Sequence, residues 1–256
     1  MNGEGVCFPV PAPFEVQPVS LAVPNPRCSL VIPFYQEAGN VASVIPTACV
    51  AVARIDPNFE AILVDDGSTD GTGLKLAQIA STDPHCRIIT LQKNRGQAAA
   101  LLEGLQQSHG EIILTMDGDG QNDPSDFPAL LALLDQGVDV ACGWRRDRHD
   151  NALRRMMSRV ANTVRRRLLP DGLHDSGCQI RVMRREVIAA LRPSPLMQSF
   201  LPAMAVAAGF RTGELVVRHH PRVHGDSKYH LGNLWWRPLV ELLRLRRELQ
   251  RPAPPR

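Results

Sequence analysis

Ile112-Ile113-Leu114-Thr115-Met116-Asp117-Gly118-Asp119-Gly120-Gln121-Asn122-Asp123-Pro124 decides the fold. Its first five residues make a short, nearly unbroken apolar run, the pattern of a strand buried on both faces. The run stops on two carboxylates one residue apart, so several oxygens gather just past a strand end. Upstream, Ala98, Leu101, Leu102 and Leu105 recur at i, i+3, i+4 and i+7 and predict a helix. Downstream, Phe127, Leu130, Leu131 and Leu134 repeat that spacing, and 138–142 reads as another strand.

The same alternation runs back toward the amino end. Leu30-Val31-Ile32, ending at Pro33, predicts a strand; Val41, Val44, Ile45, Ala48 and Val52 predict a helix. Strand, helix and strand follow at 61–64, 74–80 and 87–91. Such alternation over about 115 residues predicts βαβ units: an α/β, Rossmann-like architecture with a mainly parallel sheet flanked by helices. Beyond Gly143 the pattern changes to helices, one strand at 215–217 and a basic tail. Sheets of this kind bind ligands beyond the carboxyl ends of their strands, which selects the loops that begin at Pro33, Asp65, Gln92, Asp117 and Gly143.

Those loops carry chemistry. Asp117 and Asp119 suit a hard divalent cation, because Mg2+ takes one or two carboxylates together with substrate phosphates. The plainer reading of the segment is an acidic turn with helix caps; Asp126 reads as one, and Asp123 is a second candidate. In Pro33-Phe34-Tyr35-Gln36-Glu37, Tyr35 suits the face of a base and Glu37 a ribose or base, or else a helix dipole. Asp65-Asp66-Gly67-Ser68-Thr69-Asp70-Gly71-Thr72 offers a carboxylate to a nucleobase, with Asp70 or Thr72 capping the next helix. Lys93-Asn94-Arg95-Gly96-Gln97 suits a phosphate or a base edge.

The length of 256 residues accommodates one α/β domain and a short appendage. A hydrophobic share of 44% with 21% charged residues is that of a globular protein. The net charge of +3 is too small to argue for nucleic acid, and no nucleic-acid partner is expected. The arginines are nevertheless clustered, from Arg145 to Arg167 and again at Arg237, Arg244, Arg246, Arg247 and Arg251, which suits phosphates or an anionic membrane. Cys7, Cys28, Cys49, Cys86, Cys142 and Cys178 form no C-x-x-C pair, so neither a zinc ribbon nor a disulfide framework is expected and a reducing, cytoplasmic compartment fits. No apolar run reaches the ~18 residues of a membrane span. Residues 1–27, proline-rich and without a basic start, read as a flexible leader.

Taken in order, the motifs V-D-D-G-S-T-D-G-T, N-R-G-Q and D-G-D-G-Q-N-D-P resemble the family 2 glycosyltransferases of the GT-A fold. The nearest resemblance is to dolichol-phosphate mannose synthases and bacterial polyprenyl-phosphate glycosyltransferases, over about residues 28–230. It implies transfer of a hexose-type sugar from a UDP- or GDP-sugar to a polyprenyl phosphate, with inversion. It also implies roles. Pro33, Tyr35, Glu37, Asp65, Asp117, Arg181 and Ser227 bind the donor; Asp117, Asp119 and Gln121 hold Mg2+ or Mn2+; Asp119, Asp175, Arg222 and Lys228 serve catalysis. Asp175, in His174-Asp175-Ser176-Gly177-Cys178-Gln179-Ile180-Arg181, is a general base for a hydroxyl acceptor and a positioning charge for a phosphate acceptor, or else a loop cap. Arg222 and Lys228, in the segment from His220 to Tyr229, clamp phosphates of donor or acceptor. Where the family usually has D-A-D, this chain has Asp117-Gly118-Asp119, a small-for-small change expected to matter little.

The histidines His219, His220, His224 and His230 fit no zinc motif. Residues 151–169 predict a helix with an apolar stripe and an arginine face. In 231–256, Trp235 and Trp236 precede Leu239, Leu242, Leu243 and Leu249 among arginines. That is a basic amphipathic helix, suited to peripheral attachment at the inner membrane face or to packing on the domain. Two rivals remain beside the polyprenyl-phosphate reading: a family 2 enzyme with a glycan hydroxyl acceptor in cell-envelope polysaccharide synthesis, and a non-catalytic nucleotide-sugar-binding protein. A nucleotidyltransferase would carry a Gly-rich phosphate loop after the first strand, and 33–37 has none.

Overall fold

Every residue of Phe59-Glu60-Ala61-Ile62-Leu63-Val64-Asp65 is buried in the computed structural model, which describes residues 23–146, 163–169, 171–222 and 236–249. A strand without an exposed face needs cover on both sides. It is β2 of a seven-stranded sheet formed by β1 (Cys28–Phe34), β2 (Phe59–Asp65), β3 (Cys86–Thr90), β4 (Ile112–Thr115), β5 (Val140–Trp144), β6 (Arg181–Arg184) and β7 (Thr212–Val216), in the order β3-β2-β1-β4-β6-β5-β7. The covering helices are α1 (Val41–Ala53), α2 (Thr72–Thr82), α3 (Gln97–Gln106), α4 (Phe127–Asp135), α5 (Met197–Ala207) and α6 (Trp236–Leu249); residues 163–168 are helical as well.

Side chains alternate between two cores, one on each face of the sheet. Leu30, Ile32, Leu63, Leu114 and Val182 point to one face and pack with Val41, Ile45, Leu76, Phe127 and Leu130 of α1, α2 and α4. Val31, Ile62, Ile113, Val140 and Met183 point to the other and pack with Leu101, Leu105, Phe200, Leu201, Leu242 and Leu245 of α3, α5 and α6. At roughly 1.5–3 kcal/mol for each fully buried aliphatic or aromatic side chain, these two layers are the main force holding the strand ends in register.

The pairings β1–β2, β1–β4, β2–β3 and β5–β7 are parallel, and only β6 runs against its neighbours. The carboxyl ends of β1, β2, β3, β4, β5 and β7 therefore meet at one edge, together with the amino end of β6. The expected strands are present, with the fifth displaced to 140–144 and the seventh to 212–216. β6 escapes the sequence pattern because it is four residues long and begins with an arginine, Arg181, which is fully buried.

The C-terminal helix packs on the domain through Leu242 and Leu245, while Val240 and Leu243 stay 49% and 40% exposed. Among the described residues no helix is long and apolar enough to cross a membrane. The expectations for the leader at 1–22, for the helix at 151–162, and for Ser227, Lys228, His224, His230 and Trp235 lie outside the described residues.

Candidate active site

The loop after β1 is tied to the loop after β2 along its length. Gln36 Oε1 accepts from the backbone N–H of Thr69 and of Asp70, at 3.0 Å each. Glu37 N donates to Thr72 Oγ1 at 2.9 Å and Ala38 N to Asp70 Oδ2 at 3.0 Å. Asp70 and Thr72 thus bind the first loop; Gly71 takes the cap position of α2, and Asp70, one residue before it, accepts the helix's first N–H, that of Thr72, at 3.0 Å. Gly67 sits at φ +68, and a Cβ there would lie 2.5 Å from the Lys93 carbonyl carbon, so the loop after β2 rests directly on the loop after β3. Asp66 completes that junction: its buried carboxylate accepts from Arg95 N at 2.7 Å and Gly96 N at 2.9 Å. Burial, helped by the neighbouring Asp65, raises its pKa against those two bonds. Asp65, also buried, accepts from Ser68 N at 3.0 Å.

Asp117 and Asp119 follow β4 in the middle of this edge. Gln97 Nε2 donates to Asp117 Oδ1 at 2.6 Å, and Asp117 N donates to Asn122 Oδ1 at 2.9 Å. Desolvation and then the charge of Asp119 push the Asp117 carboxyl up to about 7, while Arg145, Arg181 and Arg222 pull it down. Two neighbouring carboxylates that repel each other offer oxygen donors of the kind that suits Mg2+ or Mn2+. Asp119 Oδ2 accepts from Arg222 Nη2 at 2.5 Å, and Arg222 Nη1 lies 3.9 Å from Glu37 Oε1, so one guanidinium joins the first, fourth and seventh strand ends. Asn40 Nδ2 braces Glu37 from behind at 2.6 Å.

Gly118 has a structural reason that the motif alone did not give. A Cβ at this position would stand 2.4 Å from Cδ1 of the buried Phe34 ring. The change from the family's usual alanine is therefore not neutral here, because the ring leaves no room for a methyl group. The caps also differ from expectation. Asp123 caps the short helical turn at Pro124–Asp126 by accepting from Ser125 N at 3.0 Å, whereas Asp126 makes no cap bond and holds Arg218 N at 2.8 Å and Nη2 at 3.1 Å. His220 N donates to Gln121 O at 2.9 Å, and Asn122 bridges to His219, so the segment after β7 is laced to the acidic loop.

On the other side of Asp117, Arg145 grips Asp175 by Nε at 2.8 Å and Nη2 at 3.0 Å, and Gly177 N adds a bond at 3.1 Å. Both side chains are nearly buried. Arg145 was hidden in the basic run of the sequence; its position directly after β5 was the signal that would have selected it. Trp144 stacks on His174 beside this pair, with centroids 4.4 Å apart. Arg181, expected among the donor contacts, does not reach the cleft. It is fully buried, and its guanidinium is taken up by Gln198 O at 2.6 Å and Ser176 O at 2.8 Å. Its influence on the site is the field it exerts on Asp117. Pro33 and Tyr35, at the end of β1, and Gln121, after β4, are partly exposed at this same edge.

Residues 29–192 match the family described as Glycosyl transferase family 2. The chain is 37% identical over 220 residues to the dodecaprenyl-phosphate galacturonate synthase of Rhizobium johnstonii, covering 84% of this chain and 65% of that protein. It is 37% identical over 203 residues to the undecaprenyl-phosphate 4-deoxy-4-formamido-L-arabinose transferase of Pseudomonas savastanoi pv. phaseolicola, covering 78% of this chain and 60% of that protein. The chain thus spans less than two thirds of the length of either relative. Among solved structures, a mannosyltransferase from Pyrobaculum calidifontis in complex with GDP-Man and Mn2+ superposes with a TM-score of 0.61 at 21% identity, covering 95% of this chain and 69% of that one. The glucosyl-3-phosphoglycerate synthase of Mycobacterium tuberculosis with UDP gives 0.63 at 21%, covering 86% and 80%. These two likenesses show the fold.

Proposed function

The chain belongs to glycosyl transferase family 2 and has the GT-A fold, and on that premise we propose that it moves a hexose-type sugar, with inversion, from a UDP- or GDP-sugar to a polyprenyl phosphate. Pro33, Tyr35, Glu37 and Asp65 line the nucleotide pocket. Asp117 and Asp119, with Gln121, hold Mg2+ or Mn2+ against the donor diphosphate. When bound, that cation supplies Lewis-acid stabilisation of the leaving nucleoside diphosphate. Arg222 adds positive charge beside the same oxygens, Ser227 serves the donor, and Lys228 joins Arg222 in binding phosphates of donor or acceptor.

One observation favours a phosphate acceptor. Asp175, the carboxylate nearest the acceptor side, is gripped at both oxygens by Arg145. Taking a proton would break that two-point pair, so Asp175 is a poor general base. A hydroxyl acceptor needs a base; an ionised phosphate does not. Asp175 then acts as a positioning residue that sets Arg145 beside the incoming phosphate. The printed names of the two relatives, each a polyprenyl-phosphate sugar enzyme, support the same acceptor. Peripheral attachment at the inner face of the membrane fits the exposed Val240 and Leu243 among Arg244, Arg246 and Arg247 on α6.

The reading is tested by offering the purified protein UDP- and GDP-sugars with Mn2+ and two acceptors, a short polyprenyl phosphate and the matching polyprenol. Sugar is expected on the phosphate alone. Transfer to the alcohol, or to a glycan hydroxyl, would replace this reading with the hydroxyl-acceptor one; donor binding without turnover would make the chain a non-catalytic binder.

A further inference from the structure

At the sheet edge opposite the cleft, three side chains from three elements converge. Cys49 lies in α1, Asp83 ends α2 and Cys86 opens β3. The two sulfurs are 3.8 Å apart, and a carboxylate oxygen of Asp83 lies within 4.8 Å of both. We propose that Cys49, Cys86 and Asp83 form a second metal site, for a thiophilic divalent ion of the zinc type, separate from the sugar-transfer centre and independent of its assignment.

Four observations carry this. A tetrahedral ion with metal–sulfur bonds of about 2.3 Å sets two thiolate sulfurs about 3.8 Å apart, which is the separation present. A disulfide would need the sulfurs at about 2.05 Å and would give Asp83 no part. The third donor is held in place: Asp83 Oδ1 takes His85 N and His85 Nδ1, both at 2.9 Å, and Cys86 N donates to Asp83 O at 3.0 Å. His85 is itself fixed by stacking on Phe59, with centroids 4.5 Å apart, so the carboxylate has the outer partner that metal ligands usually carry. Finally, Cys49 and Cys86 are 8% and 7% exposed while the Asp83 side chain is 35% exposed, so the group meets solvent on the Asp83 side.

With their protons on, the two thiols share an S–H···S hydrogen bond at 3.8 Å. An ion would bind as both thiols lose their protons, with two metal–sulfur bonds and one metal–oxygen bond replacing two S–H bonds. Bound there, it would staple α1, the end of α2 and the outer strand β3, and would stabilise the fold by mass action.

Co2+ is the probe, because oxygen ligands at Asp117 and Asp119 give no sulfur charge-transfer band. Titrating the reduced full-length chain is expected to give cobalt–thiolate absorption and intense tetrahedral bands that saturate at one ion per chain. About two protons should be released per ion. Asp119→Asn should leave these bands intact, and Cys49→Ser should abolish them. Asp83→Asn should weaken binding at least by the roughly 10-fold that loss of even an outer-shell partner costs. If Cys49→Ser does not fold, Asp83→Asn carries the test. The proposal is overturned by absence of the bands with both thiols reduced, by bands that survive Cys49→Ser, or by undiminished affinity in Asp83→Asn. It is also overturned if the pair refuses the ion and instead loses two hydrogens to a small disulfide oxidant.

Discussion

Asp117 is the residue on which the site's pH behaviour turns. Its folded pKa, pushed to about 7 by desolvation and by Asp119, lies above its ordinary value of 3.8. A proton therefore competes with the cation. Mn2+ affinity should be flat above pH 8 and fall as pH drops through 7, by about tenfold at pH 6, read by calorimetry. The stability sign is the reverse. The folded chain binds a proton more readily than the unfolded chain does, so stability without metal rises as pH falls from about 7 toward the unfolded value. Asp117→Asn should accordingly raise the metal-free Tm at pH 8 while weakening Mn2+ binding; a lowered Tm there would contradict the charge argument. Gly118 yields a steric counterpart. Gly118→Ala should cost about 1–3 kcal/mol through overlap with the Phe34 ring, and Phe34→Leu in the same chain should recover part of it in urea unfolding.

At the scale of elements, the loops are held by carboxylates that reach across to other loops. Asp66 is the clearest case, since it satisfies two backbone N–H groups of the 93–97 loop. Asp66→Ala should cost about 1–3 kcal/mol, free that loop to faster hydrogen exchange and unseat Gln97 from Asp117. An unchanged exchange pattern would mean the loop is held by something else. The sheet and its order of loops were legible because Leu30-Val31-Ile32 and 61–64 are continuous apolar runs that only a doubly covered strand explains. The acids at 65, 117 and 119 were legible for the same reason: they are where those runs stop. Arg145 and Asp66 were not, one lost among neighbouring arginines and the other without a role of its own in a motif whose carboxylate pointed to a nucleobase. Arg181 misled because a charged residue in a motif suggests a ligand, whereas here two carbonyls inside the protein take its guanidinium. β6 was hidden because four residues opening on an arginine make no apolar run.

For the whole molecule, the edge where six strands end and one begins collects acids in the middle and arginines on either side. In the proposed reaction the acids would take the cation and the arginines the phosphates of donor and acceptor. α6 bears on the proposed attachment to a membrane surface. Its buried Leu242 and Leu245 fix it to the body, and its exposed Leu243 and arginines face outward. Leu243→Glu combined with Arg246→Glu should cut partition onto anionic vesicles by about tenfold or more at low salt, with little change in Tm. A fall in Tm with unchanged partition would make the helix a packing element only.

The central claim is that Asp117 and Asp119 hold a cation against the donor diphosphate, and calorimetric titration of UDP and GDP with and without Mn2+ tests it most directly. One of the two nucleotides should bind the wild-type chain with Mn2+ and weaken at least about tenfold in chelator, and Asp119→Asn should bind it equally weakly under both conditions. Equal affinity in Mn2+ and chelator, or a metal-dependent gain that persists in Asp119→Asn, would contradict the account.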